Sequence, residues 1–306
     1  MRATFTQEQL EIAKTVRALV EGEAVTARTV LTAGEWTAPA CDITLLRDFG
    51  LLGVPGESAL IDLLVAVEAI GATLVPSRFP WHAAAVQLLT GTAIPADVLE
   101  GRRVLTPAGN PVPYAAAANG FVDGAIQEAA EIVPRRSLDP SVPLSSVTTK
   151  AATPASVDGQ RRATLVVAAQ LCGVAQGAID LAADQARTRT QFGRVIGSFQ
   201  GVAFQLADAA TQRKAAWDLT LYAAWAVDNA MPEAEIQVHA AKAAAGKAAV
   251  FAAERCIQVH GGMGITMEAD PHLYLRRALV LDALLGTGAD HRRRVGELRI
   301  SARQNA

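Results

Sequence analysis

The sequence predicts a mainly α-helical protein with a small β insert: a helical unit over residues 1–100, a short β region over 101–159 and a four-helix bundle over 160–306. Three observations carry this expectation. Apolar residues recur at helical spacing on both sides of the middle, in runs long enough for several turns. Alanine does much of the apolar work while aromatics make up only 5%, and alanine joins the best helix propensity to close approach of backbones. In the middle, Pro107, Pro111, Pro113, Pro134, Pro140, Pro143 and Pro154 forbid long helices and central strands alike.

The elements follow in order. Residues 6–30 read as one helix, opened by a capping box between Thr6 and Gln9, with Leu10, Ala13, Val16, Val20 and Val25 at helical spacing. Shorter helices are expected at 42–53 and 59–74, and Pro80 can open another through Gly91. Short β-type runs then alternate with the prolines. From about Arg161 three long helices are expected. The first places Leu165, Ala168, Cys172, Ala175, Ile179 and Ala182 on one stripe. The second runs from Ser198 as N-cap to Asp228, and Pro232 opens the third as a first-turn proline. Asp270-Pro271 starts a fourth by the same logic.

Composition limits the function. A formal net charge of -2 argues against a general basic field for nucleic acid. The three cysteines are few and far apart, which fits reduced thiols and a cytoplasmic setting better than a disulfide frame. No signal peptide is expected at the N-terminus, and no stretch reaches the roughly 20 apolar residues of a membrane span. No metal site is expected from His82, His239, His260, His272 and His291, and His260 reads as a surface residue. Trp217, Tyr222 and Trp225 read as core or subunit interface.

Two segments could carry chemistry. The link "RTRTQFGRVIGSFQG" sets Arg187, Arg189 and Arg194 around Gln191, Phe192 and Gly193, ahead of Phe199 and Gln200. Planar guanidinium groups suit bidentate phosphate contact, although a polar turn with solvated arginines is the alternative. The stretch "CIQVHGGMGITMEADP" sets Gly261, Gly262 and Gly264 after a helix, where bare backbone could lie against an anion. Alone, it reads as a helix C-cap and turn.

Together, Arg189, Gln191, Phe192, Gly193, Ile196, Phe199 and Gln200, followed by Gln258, Gly261, Gly262 and Gly264, resemble the acyl-CoA dehydrogenase family. The later "LLGTGADHRRR" resembles that family's Glu-Gly-Thr region, and the resemblance covers the helical C-terminal half and, more faintly, the N-terminal helices. It implies the same order of helical domain, β domain and four-helix bundle, and FAD as cofactor. It also implies that Arg189, Gln191, Phe192, Gly193, Phe199, Gln200, Gln258, Gly261, Gly262, Gly264 and Thr287 hold the adenine and pyrophosphate half of an FAD seated in a neighbouring subunit.

The departures are as informative. Leu285 occupies the position of the family's catalytic glutamate, so no catalytic residue is expected in this chain. Asp158 and Glu268 are the nearest carboxylates, and Asp158 reads as a loop or capping residue. Residues 101–159 contain no tryptophan for the family's flavin-ring motif. The resemblance therefore implies a short, base-lacking subunit of a heteromeric enzyme acting on steroid-derived acyl-CoA thioesters. A second, catalytic subunit would complete it, with an electron-transfer flavoprotein-type acceptor. A homodimer with another base and a scaffold that binds no flavin are the alternatives.

Overall fold

The computed structural model describes residues 4–89, 93–150 and 154–304. The chain begins with six helices: α1 (Gln7–Glu21), α2 (Ala27–Ala33), α3 (Cys41–Asp48), α4 (Leu60–Thr73), α5 (Phe79–Leu88) and α6 (Ala96–Leu99). The expected capping box is present at Thr6 and Gln9. The expected single helix over 6–30 is two, because Gly22 caps α1 and Thr26 opens α2 with its own capping box to Thr29. The end of the helix expected through Gly91 lies outside the described residues.

Six strands follow between Leu105 and Thr149: β1 (Leu105–Pro107), β2 (Val112–Pro113), β3 (Gly120–Asp123), β4 (Ala125–Gln127), β5 (Ala129–Arg135) and β6 (Leu144–Thr149). They form two three-stranded sheets, β1-β3-β4 with β1 parallel to β3, and the antiparallel β2-β6-β5. Their own apolar nucleus is small, built on Val112, Ala115 and Phe121, while Val104, Leu105, Val122 and Val142 join the main core. Loop 138–142 is fastened to the helices by a buried ion pair, Arg277 Nε to Asp139 Oδ2 at 2.5 Å, and Arg277 also donates to Ser141 Oγ.

The C-terminal half contains α7 (Val157–Thr188), the hairpin β7 (Thr190–Gln191) and β8 (Arg194–Val195), then α8 (Gln200–Asp228), α9 (Ala234–His260), α10 (Pro271–Ala283) and α11 (Gly288–Gln304). α7 is the central helix, in contact with α4, α5, α8, α9 and α10. It is long and apolar because it is surrounded, and its stripe from Leu165 to Ala182 is buried as expected. Three glycines bring it against α4 without intervening side chains. A Cβ on Gly71 would stand 2.4 Å from Gln170 O, one on Gly173 2.1 Å from Glu68 O, and one on Gly177 2.0 Å from Ala72 O.

Two expected boundaries move and a third holds. A 3-10 turn over Ile196–Ser198 separates β8 from α8, so Phe199 and not Ser198 precedes the helix. Pro232 lies in the turn before α9, and α10 starts with Pro271 in its first turn, though the Asp270 side chain makes no cap bond. A fifth helix, α11, is added where the sequence offers a run of arginines. Its polar composition leaves no apolar period to read.

Candidate functional site

The link between α7 and α8 is a two-residue β-hairpin. Gln191 pairs with Arg194 and Thr190 with Val195, leaving Phe192 and Gly193 at the tip with φ of 51° and 78°. Positive φ at both positions matches the right-handed twist of the strands, and Gly193 adopts it without strain. A phenylalanine there is held at a cost of about 1–3 kcal/mol, a sign that its presentation matters. Phe192 is 92% exposed. Its ring meets Phe199 edge-on at 6.2 Å, and Arg194 lies over Phe199 at 4.0 Å.

This hairpin, the start of α8 and the end of α9 enclose an open cleft of ≈ 370 Å³, lined by Arg189, Gln191, Phe192, Ile196, Phe199 and Gln258 among others. The structure thus brings two sequence segments some sixty residues apart into one site. The charges around it differ in their attachments. Arg187 is held by Asp184 at 2.7 Å, whereas the side chains of Arg189 and Gln258 make no hydrogen bond or ion pair among the described residues. Gly201, Val202 and Gln205 also line the cleft. They were not legible as site residues, although Gly201 and Gln205 stand one turn apart on α8.

Gly193, Gln200, Gly261, Gly262, Gly264 and Thr287 are not among the lining residues. Gly261 and Gly262 follow directly on the lining pair Gln258–Val259, and a Cβ on either would meet nothing within 4 Å. Only Gly261 has positive φ, and Gly264 serves packing, since its Cβ would stand 2.5 Å from Ile257 O. His260 is buried and not on the surface, its Nδ1 donating to the Cys256 carbonyl at 2.8 Å. Cys256 and His260 stand four apart on α9 with Sγ and Nδ1 at 3.8 Å, yet no group of three or more metal-type ligands occurs among the described residues.

The turn after α10 is a second, contrasting site. Leu285 sits there at φ 54°, followed by Gly286 at φ 96°. Five polar side chains around it are engaged: Lys242, Asp282, Thr287, Asp290 and His291. Lys242, fully buried on α9, donates to the carbonyls of Asp282 and Gly286, both at 3.0 Å. His291 Nε2 donates to the Leu285 carbonyl at 3.0 Å, and its Nδ1 lies 2.7 Å from Nδ1 of His239. With the His291 proton on Nε2, His239 is the donor in that pair. Asp282 accepts from the Gly288 N–H, and Thr287 and Asp290 cap α11 reciprocally. Burial lowers both His291, to about 4, and Lys242, to about 8, the latter opposed by Asp282. No free carboxylate faces this turn among these groups.

Asp158 is in the first turn of α7, not before the helix, and is bound by Arg162 at 2.9 Å. Arg162 also holds Asp228 at 2.6 Å, so Asp158 belongs to a structural network. Trp217 is core, Trp225 packs partly buried against it, and Tyr222 donates to Glu233. Burial holds the Cys172 thiol up at about 12, in keeping with an inert core cysteine.

The profile of the acyl-CoA dehydrogenase C-terminal domain matches residues 160–298. Acyl-CoA dehydrogenase IpdE2 of Mycobacterium tuberculosis is 32% identical over 245 residues, covering 74% of this chain and 73% of its own length. Another curated relative is 37% identical over 187 residues but much longer, and the chain spans 26% of it. Among solved structures, the ChsE4-ChsE5 complex from Mycobacterium tuberculosis aligns with a TM-score of 0.72 at 20% identity, covering 97% of this chain and 98% of that one. The Tcur3481-Tcur3483 steroid ACAD G363A variant aligns with a TM-score of 0.82 at 23% identity, covering 97% and 99%. At these identities the structural likeness speaks for the fold, and the sequence matches carry the kinship. The chain belongs to the acyl-CoA dehydrogenase family, whose cofactor is FAD.

Proposed function

We propose that this chain is the base-lacking subunit of a heteromeric acyl-CoA dehydrogenase, with residues 1–100, 101–159 and 160–306 as its three units. It supplies the clamp for the adenine and pyrophosphate half of an FAD seated in a companion subunit. One observation carries the reading: Leu285 stands where the family has its glutamate, in a turn whose neighbouring carboxylates, Asp282 and Asp290, are both committed to backbone and side-chain partners.

The residues of the hairpin cleft fit the cofactor end assigned to them. Arg189 has a free guanidinium for a diphosphate, Phe192 and Phe199 offer ring faces to a base, and Gly261 and Gly262 leave open space for approach to backbone. Bound FAD accepts the hydride lost from the β-carbon of an acyl thioester. This chain binds and orients the remote half of the cofactor, and the companion holds the base that takes the α-proton. A steroid-derived CoA thioester as substrate is supported by the steroid ACAD among the structural neighbours, and a two-chain assembly by the ChsE4-ChsE5 complex. An electron-transfer flavoprotein-type acceptor completes the proposal. The homodimer alternative is weakened because Asp158 is bound by Arg162.

The test is a flavin-to-chain count on the chain purified alone and with its companion. The reading expects a colourless isolated chain and a yellow complex in which both chain types are equimolar. A stable isolated chain carrying one FAD each and oxidising an acyl-CoA would overturn it.

A further inference from the structure

A hollow of ≈ 280 Å³ lies between α9, α10 and α11, bordered by Lys247, Phe251, Glu254, Asp282 and Arg292. A second, of ≈ 260 Å³, is bordered by the same Lys247 and Arg292 together with Ala240, Ala244 and Val295. Sharing Lys247 and Arg292, they form one groove whose floor of glycine, alanine and valine is broken by Phe251. On α9, positions 240, 244, 247, 251, 254 and 258 recur at three- and four-residue spacing, so they share one face over roughly 27 Å of helix. Gln258, at the end of that face, lines the hairpin cleft. Groove and cleft are therefore continuous along one helix.

The two cations of the groove are unpaired. Lys247 and Arg292 make no ion pair or side-chain hydrogen bond among the described residues. The next two arginines are held, Arg293 by Asp290 and Arg294 by Glu235. Asp282 is occupied by the Gly288 N–H and by Lys242, and Glu254 reaches only Arg255 at 3.8 Å. Two unpaired cations thus border the channel, while the carboxylates beside them, Asp282 and Glu254, are each paired with another cation.

We infer that this groove receives a helix of the companion subunit that carries a carboxylate between Lys247 and Arg292 and small apolar residues over Ala240 and Ala244. The inference rests on the subunit reading above. A helix fits because the floor is nearly free of long side chains and the channel from 240 to 254 is about 21 Å, some four turns. The backbone of α9 is bonded within its own helix, so an added strand has nothing to pair with. A second copy of this chain fits poorly, because a twofold contact would set hollow against hollow.

The complex purified through a tag on this chain provides the test. Lys247→Glu with Arg292→Glu should lower the companion-to-chain ratio by about tenfold or more, since a buried carboxylate would then face two like charges. The paired alanine variant should lower it less. Both side chains are exposed, and circular dichroism checks that the fold persists. In the unaltered complex, a photocrosslinking side chain at position 244 should join a companion peptide that contains aspartate or glutamate. An undiminished companion ratio in the charge-reversed variant would overturn the groove assignment while leaving the subunit reading standing, as would a crosslink to another copy of this chain. An unaltered chain that retains no companion would remove the subunit reading and the groove with it.

Discussion

The hairpin cleft and the turn after α10 both derive from family motifs, yet they treat their polar groups in opposite ways. At the cleft, the lining side chains of Arg189 and Gln258 make no hydrogen bond or ion pair among the described residues. At the turn, Lys242, His291, Asp282, Thr287 and Asp290 are all engaged with one another or with backbone. Unpaired donors beside the exposed Phe192 ring are what the proposed cofactor contact would use. A turn whose donors are all used inward is kept for its shape. The two segments thus differ in kind, one leaving its polar side chains unpaired beside an open cleft and the other pairing them within the fold.

The comparison breaks most readily at Lys242. Lys242→Met should cost about 2–4 kcal/mol, because the carbonyls of Asp282 and Gly286 lose their donor in a buried place, offset by release of a desolvated charge. Urea unfolding measures it, and unchanged stability would mean the turn is not held as described.

Next is the cleft. Arg189→Ala should leave the fold unaltered and weaken FAD retention in the assembled complex by about 1.5–3 kcal/mol, roughly ten- to hundredfold. Turnover per bound flavin should stay the same, since the contact is remote from the reacting carbon and contributes uniform binding. Flavin content after dialysis, set beside turnover per flavin, decides. Loss of turnover with flavin retained would place Arg189 at the catalytic centre. Gly262→Val sharpens the point: its Cβ meets nothing in the chain, so a loss of flavin without loss of stability would come from the ligand side alone.

His291 tests the turn through pH. Its folded pKa, lowered to about 4 from 6.5 by burial, means the unfolded chain binds the proton more readily between those values. Its contribution is therefore fully present above about pH 6.5 and lost as pH falls towards 4. His291→Gln, which keeps a donor for the Leu285 carbonyl, should flatten the stability profile in that window, and a parallel profile would contradict the assignment. The smallest effect is expected of Leu285→Glu. No acyl-CoA oxidation should arise in the isolated chain, because rate depends on preorganised geometry and not on a base alone. Measurable turnover there would show that the β region can seat a flavin ring.

Local signals were the legible ones. The Thr6–Gln9 box, the buried stripe of α7 and the proline-bounded β region all rest on contacts within a few residues, and each is found where expected. The cleft was visible as two motifs because its residues are of distinctive types. What escaped depends on distance or on weak patterning. His239 and His291 are 52 residues apart and meet only through the packing of α9 on α11. The break between α1 and α2 rests on a threonine pair, Thr26 and Thr29, where the usual box has a glutamate or glutamine. The hairpin tip required a phenylalanine at positive φ, which propensity argues against.

The glycine contact between α4 and α7 has a consequence for how the molecule comes apart. Gly71, Gly173 and Gly177 set backbone on backbone, so no rotamer change can loosen that contact by degrees. The two helices must separate as rigid pieces, and water would then reach both at once. Amide hydrogens along this seam should be the slowest in the protein to exchange, opening only when the whole chain unfolds, while the tip at Phe192 exchanges freely. The molecule thus sets a seam that opens only as a whole against an exposed tip that opens alone.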